Sequence, residues 1–70
     1  MKRGNEYIFI RIYNLLIEEE KDELINTLLK IAKETTYNGF HYECINFFEK
    51  IKKNIEAEIV KLRLDEINNI

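Results

Sequence analysis

No proline interrupts this chain, and its only glycines are Gly4 and Gly39. Those two residue types mark most sharp turns, so few reversals are signalled, and long regular elements are the default over the 70 residues. One domain is expected, residues 1–70, because compact domains rarely divide below about 100 residues. Charged residues make up 34% and apolar residues 46% of the chain, a composition that can build a core.

Such a core is small. Below about 70–80 residues a single core rarely contributes more than ~3–5 kcal/mol, and disulfides, metals or association make up the difference. Cys44 is the lone cysteine and His41 the lone histidine. One chain therefore forms no internal disulfide and no closed four-ligand zinc site from Cys and His. Association remains, and the sequence predicts a homodimer or larger assembly. No cofactor and no metal are expected.

The apolar run from Tyr7 to Ile17 is broken by Arg11 and Asn14 and followed by Glu18-Glu19-Glu20. That is not the form of a secretory leader, and it falls short of the ~20 apolar residues of a membrane span. A single cysteine suits a reducing compartment. The expectation is a cytoplasmic protein with no membrane partner. Net charge is −2, which argues against nonspecific nucleic-acid binding. The charge is uneven. Residues 1–17 carry Lys2, Arg3 and Arg11 against Glu6, a net +2; residues 18–36 carry six acids against three lysines, a net −3.

Helical spacing is clearest over Lys21–Thr35, where Leu24, Ile25, Leu28, Leu29, Ile31, Ala32 and Thr35 give the apolar face. Acids at Glu18–Glu23 precede it and Lys30 and Lys33 end it, both favourable to the helix dipole. Asn38-Gly39 is read as the one strong turn. Beyond it a single helix is expected from about Phe40 to Ile67, with Cys44, Ile45, Phe48, Ile51, Ile55, Ile59 and Leu62 on one face and Ala57 and Lys61 opposite. Val60, Leu64 and Ile67 add a second stripe about 100° away.

Residues 6–17 fit two patterns. As a strand, Ile8, Ile10 and Ile12 share a face. As a helix, Arg11, Asn14 and Glu18 form a narrow polar stripe. The fold class expected is all-α, a helical hairpin or three short helices assembling as a homo-oligomeric bundle. The alternative places a strand at 6–13, paired with the same strand of a second chain. That order of strand, helix, turn and helix resembles ribbon-helix-helix repressors, whose paired strands enter the major groove, and implies a DNA-binding dimer with Arg11 on its ribbon; the acids at Glu18–Glu23 disfavour that partner.

The chemistry-bearing residues are few. His41-x-x-Cys44 is a half-site for a shared metal, or a buried thiol beside a helix-capping histidine. Thiol catalysis needs a cleft and an oriented base, which a short helical chain offers little room to build, so no enzyme is expected. The candidate binding residues are Tyr37, Asn38, His41 and Tyr42 around the turn, together with Arg11. Aromatic side chains and Asn suit contact surfaces, and exposed tyrosines can stack on a base. The expected function is that of a small intracellular binding or regulatory protein acting on another protein, in one version an inhibitor from a phage or mobile element. The alternatives are the repressor and the capture of a small nucleotide at a subunit interface.

Overall fold

The computed structural model describes residues 5–69, with side chains from Ile8. Lys2 and Arg3 of the basic N-terminal group lie outside the described residues. Four helices follow in order: α1 Asn5–Leu15, α2 Glu18–Glu34, α3 Asn38–Lys50 and α4 Asn54–Asn68. The all-α class is borne out. No strand occurs among the described residues, so the 6–13 ribbon is overturned, and the hairpin or three-helix count becomes four.

Residues 6–13 are helical because their decisive contacts repeat at helical spacing. Phe9 and Tyr13 are four residues apart and therefore share a face. Both rings meet the edge of Phe47 on α3, with centroids 5.6 and 5.7 Å apart, and Phe9 also meets Phe40 at 6.4 Å. Edge-to-face pairs of this kind add about 0.5–1.5 kcal/mol each beyond their burial. The 8-10-12 alternation has no second strand to serve.

The first two helices separate at Leu16–Ile17. Glu20 Oε1 accepts the backbone N–H of Ile17 at 3.1 Å, which satisfies one donor left over at the start of α2. Glu18, Glu19 and Glu20 form its first turn, where the helix dipole favours acids. Lys21 sits 3.6 Å from Glu18 and 5.0 Å above the Tyr13 ring, spanning the joint.

Two turn assignments are corrected. Asn38-Gly39 is not a turn: both residues lie in the first turn of α3, and no glycine has positive φ among the described residues. The reversal is made by extended backbone at Thr35–Tyr37, where Thr35 Oγ1 accepts the Tyr37 N–H at 3.2 Å. Gly39 serves a different need. A Cβ there would meet the Tyr37 ring at 2.7 Å, so the missing side chain makes room for the ring.

The expected single helix over Phe40–Ile67 is broken at Ile51–Lys53. Lys52 adopts φ 66°, the left-handed conformation usual for glycine. Lys52 N–H donates to Glu49 O at 3.2 Å and Lys53 N–H to Phe48 O at 2.8 Å, the paired bonds of a Schellman stop. Helix phase explains why the chain turns here. Ala57 follows Phe48 by nine residues, which at ~100° per residue is half a turn out of phase. A continuous helix would point Phe48 and Ala57 in opposite directions. With the reversal, Ala57, Val60 and Leu64 fold back into the core that Cys44, Ile45, Phe47 and Phe48 occupy. Of the stripe expected on the buried face, Ile55 and Leu62 turn outward, 75% and 64% exposed, and Ile59 is half-buried.

The core is completed by Ile25, Leu28 and Ala32 of α2. α3 is the central element, packing on α1, α2 and most extensively α4, while α4 also contacts α2. Lys61 of α4 reaches across the hairpin to Glu49 of α3 at 3.1 Å and also pairs with Glu58 of its own helix at 3.3 Å.

Candidate interaction surface

Once Phe9 and Tyr13 are turned toward α3, helical geometry fixes what the other side of α1 presents. Ile8, Ile12 and Leu15 recur at steps of four and three, so they line up on one outward face. They are 53%, 44% and 86% exposed, and Ile17 continues the patch beyond the helix end. Arg11, one residue from Ile12, flanks the line and is exposed. A helix apolar on both sides is ordinarily buried on both sides.

Tyr37 in the α2–α3 turn and Asn38 and Tyr42 at the start of α3 are exposed to solvent. Asn38 and Tyr42 are one helical turn apart and share a face. Arg11 belongs to the outer flank of α1 and Tyr37 to the α2–α3 turn, so the sequence-based set divides between two places. His41 lies inside: its side chain is fully enclosed. Its Nε2 is 2.7 Å from Ala32 O, in the last turn of α2, and its Nδ1 is 3.0 Å from Tyr37 O. Both oxygens are acceptors. A neutral ring donates to one of them and an imidazolium to both. In either form the ring ties the end of α2 to the start of α3.

Cys44, also enclosed, has its thiol pushed up to about 12, first by burial and then by the nearby charge of Glu43. The thiolate is the nucleophile and the metal ligand, so this sulfur is chemically quiet near neutrality. Among the described residues no three His, Cys, Asp or Glu side chains gather as a metal site.

A second surface feature is an open groove of about 280 Å³ between α2 and α4, lined by Lys33, Ile59, Leu62, Arg63 and Glu66. Arg63 Nη1 is 3.5 Å from Glu66 Oε1, and its buried Nε has no hydrogen-bond partner. Sequence reasoning missed this groove because it placed Leu62 and Ile59 in the core. The phase difference between Phe48 and Ala57 was the signal available for finding it.

No helix among the described residues is long and apolar enough to cross a membrane. Comparison with family models, with curated proteins and with solved structures returns no match to this chain.

Proposed function

We infer that this is a small, non-enzymatic intracellular protein that works by occupying another protein surface, including that of its own copies, as a regulator or inhibitor. The observation that carries this reading is the outward apolar line Ile8–Ile12–Leu15 on a helix whose opposite face is already committed to the core. Lines of this kind at helical spacing are the anchors by which a helix docks into a groove or pairs with another helix, and contiguous apolar surface of this kind marks interaction sites. The quiet thiol of Cys44 and the enclosure of His41 support a binding role over a chemical one.

Native mass spectrometry of protein purified gently from cells tests the reading, because subunit count and retained mass are read together. An assembly of protein chains without added small-molecule mass is the expected result. A single chain carrying a few hundred extra daltons would replace it with ligand capture, for which the exposed Tyr37 and Tyr42 are the first residues to mutate.

A further inference from the structure

We propose that the groove between α2 and α4 binds a small monocarboxylate, its charge on Arg63 and Lys33 and its short apolar body on Ile59 and Leu62. The site is separate from the α1 face and goes beyond the role inferred from it. Arg63 carries the argument. One edge of a guanidinium pairs Nε with Nη2, and a carboxylate meets such a fork with two parallel bonds. Glu66 Oε1 takes Nη1 alone, at 3.5 Å, the outer limit of a hydrogen bond. Nε is buried without a partner, and Nη2 has no acceptor among the described residues. A buried donor left unpaired is rare in a folded chain. Arg63 lines the groove, and its long contact to Glu66 holds the head lightly. A small turn of the guanidinium brings the whole fork to an acceptor lying there.

Charge agrees with an anion. Lys33, in the last turn of α2, stands on the opposite wall and makes no ion pair among the described residues. The lining carries two cations against Glu66, a net +1 on a chain of net charge −2. Lys30 lies one turn before Lys33 and so on the same side of α2. The neighbouring acids point away: Glu34 is one step of about 100° from Lys33, and Glu58 and Asp65 lie roughly a quarter turn around α4 from the lining residues. Glu58 is also held by Lys61 at 3.3 Å.

The same features choose among anions. Glu66 in the wall disfavours a second negative charge, which selects a carboxylate over a phosphate dianion. Ile59 and the 64% exposed Leu62 offer a strip for a chain of a few carbons. About 280 Å³ of space falls just below the ~300–1,000 Å³ of sites for drug-sized ligands, so the body is short. An open groove with few contacts binds weakly, with a Kd on the order of millimolar.

Titration of the full, isotope-labelled chain with hexanoate, followed through backbone amide shifts, tests the site. Saturable shifts centred on Lys33 and Ile59–Glu66 are expected. Hexanol has the body without the charge, and inorganic phosphate the charge without the body; each should bind at least about tenfold more weakly. Arg63→Gln should weaken hexanoate about tenfold, and Lys33→Gln, at an exposed position, about threefold. Glu66→Gln should tighten it about threefold, because a competing acceptor and a like charge are removed together. A damaged fold does not produce that gain.

Hexanol binding as well as hexanoate would reduce the groove to an apolar patch and overturn the proposal. Phosphate binding as well as hexanoate would overturn the choice of carboxylate. Shifts centred elsewhere, no saturation, or an Arg63→Gln chain that binds as before would overturn the site. A ligand held this weakly leaves during purification. The native mass spectrum therefore reports on the protein partner and the titration on the groove, and the two readings fail separately.

Discussion

Phe48 and Leu15 sit on helices of thirteen and eleven residues that pack against each other, yet they face different surroundings. α3 is enclosed by three neighbours and holds Phe47, Phe48, His41 and Cys44 out of water. α1 leans on α3 through Phe9 and Tyr13 and leaves Ile8, Ile12 and Leu15 exposed. The closed helix shows what stabilises the monomer. The open one carries apolar side chains the monomer does not need, and such surface is informative because it is unexplained by folding.

The largest expected contrast comes from truncating one residue on each helix. Phe48→Ala should cost ~3–5 kcal/mol, the range for emptying a core phenylalanine site, which is most of the stability a domain this small holds. Leu15→Ala should change stability by less than about 0.5 kcal/mol, as exposed positions do. Denaturant titrations at low protein concentration check both. If Leu15→Ala becomes costly only as protein concentration rises, the open face is being covered by association, and the comparison sharpens.

The next effect is expected at His41. Phe replaces its volume but neither nitrogen. Tyr37 O also receives the Phe40 N–H at 3.1 Å, so the group most exposed to loss is Ala32 O, bonded at 2.7 Å. A buried polar group left unsatisfied costs ~1–3 kcal/mol, and about 2 kcal/mol is expected for His41→Phe in the same titration. A neutral result would mean that water reaches the end of α2 and that α3 is less closed than its burial implies.

Much of this organisation is legible in the sequence, for identifiable reasons. α2 is readable because its apolar spacing, first-turn acids and last-turn lysine agree with one another. α1 is ambiguous because Ile8, Ile10 and Ile12 satisfy a strand period while Phe9 and Tyr13 satisfy a helical one, and the choice rests on Phe47, more than thirty residues away. The stop at Lys52 is hidden because a lysine occupies a conformation for which glycine is the usual signal. Asn38-Gly39 misleads for the opposite reason: the glycine accommodates a ring and not a turn. Of the candidate binding residues, the exposure of Arg11, Tyr37, Asn38 and Tyr42 follows their polarity or position beside the turn. The enclosure of His41 does not, since it depends on where the end of α2 arrives.

Alkaline pH offers a graded effect confined to the closed helix. Cys44 loses its proton near 9.0 in the unfolded chain but only near 12 in the folded one. Above pH 9 the unfolded chain therefore binds fewer protons, and stability falls as pH rises, by up to ~1.4 kcal/mol per pH unit from this group. The informative quantity is the difference between the native chain and Cys44→Ala, because every pH-dependent contribution other than that of the thiol cancels in it. That difference should shrink as pH rises from 8 to 11. A constant difference would mean that the thiol is reached by water.

The smallest expected change is a gain. Lys52 holds a left-handed conformation that costs an L-residue with a side chain roughly 1 kcal/mol relative to glycine, and its side chain is exposed, so no core contact is lost with it. Lys52→Gly should stabilise the protein by up to about 1 kcal/mol, reduced by the greater freedom that glycine brings to the unfolded chain. The gain should appear in the unfolding midpoint and not in self-association, because the α3–α4 reversal belongs to the closed side of the molecule and α1 does not contribute to it. If Lys52→Gly instead altered association, the two sides would be coupled through α3, and the α1 face would have to be treated as part of the same cooperative unit as the core.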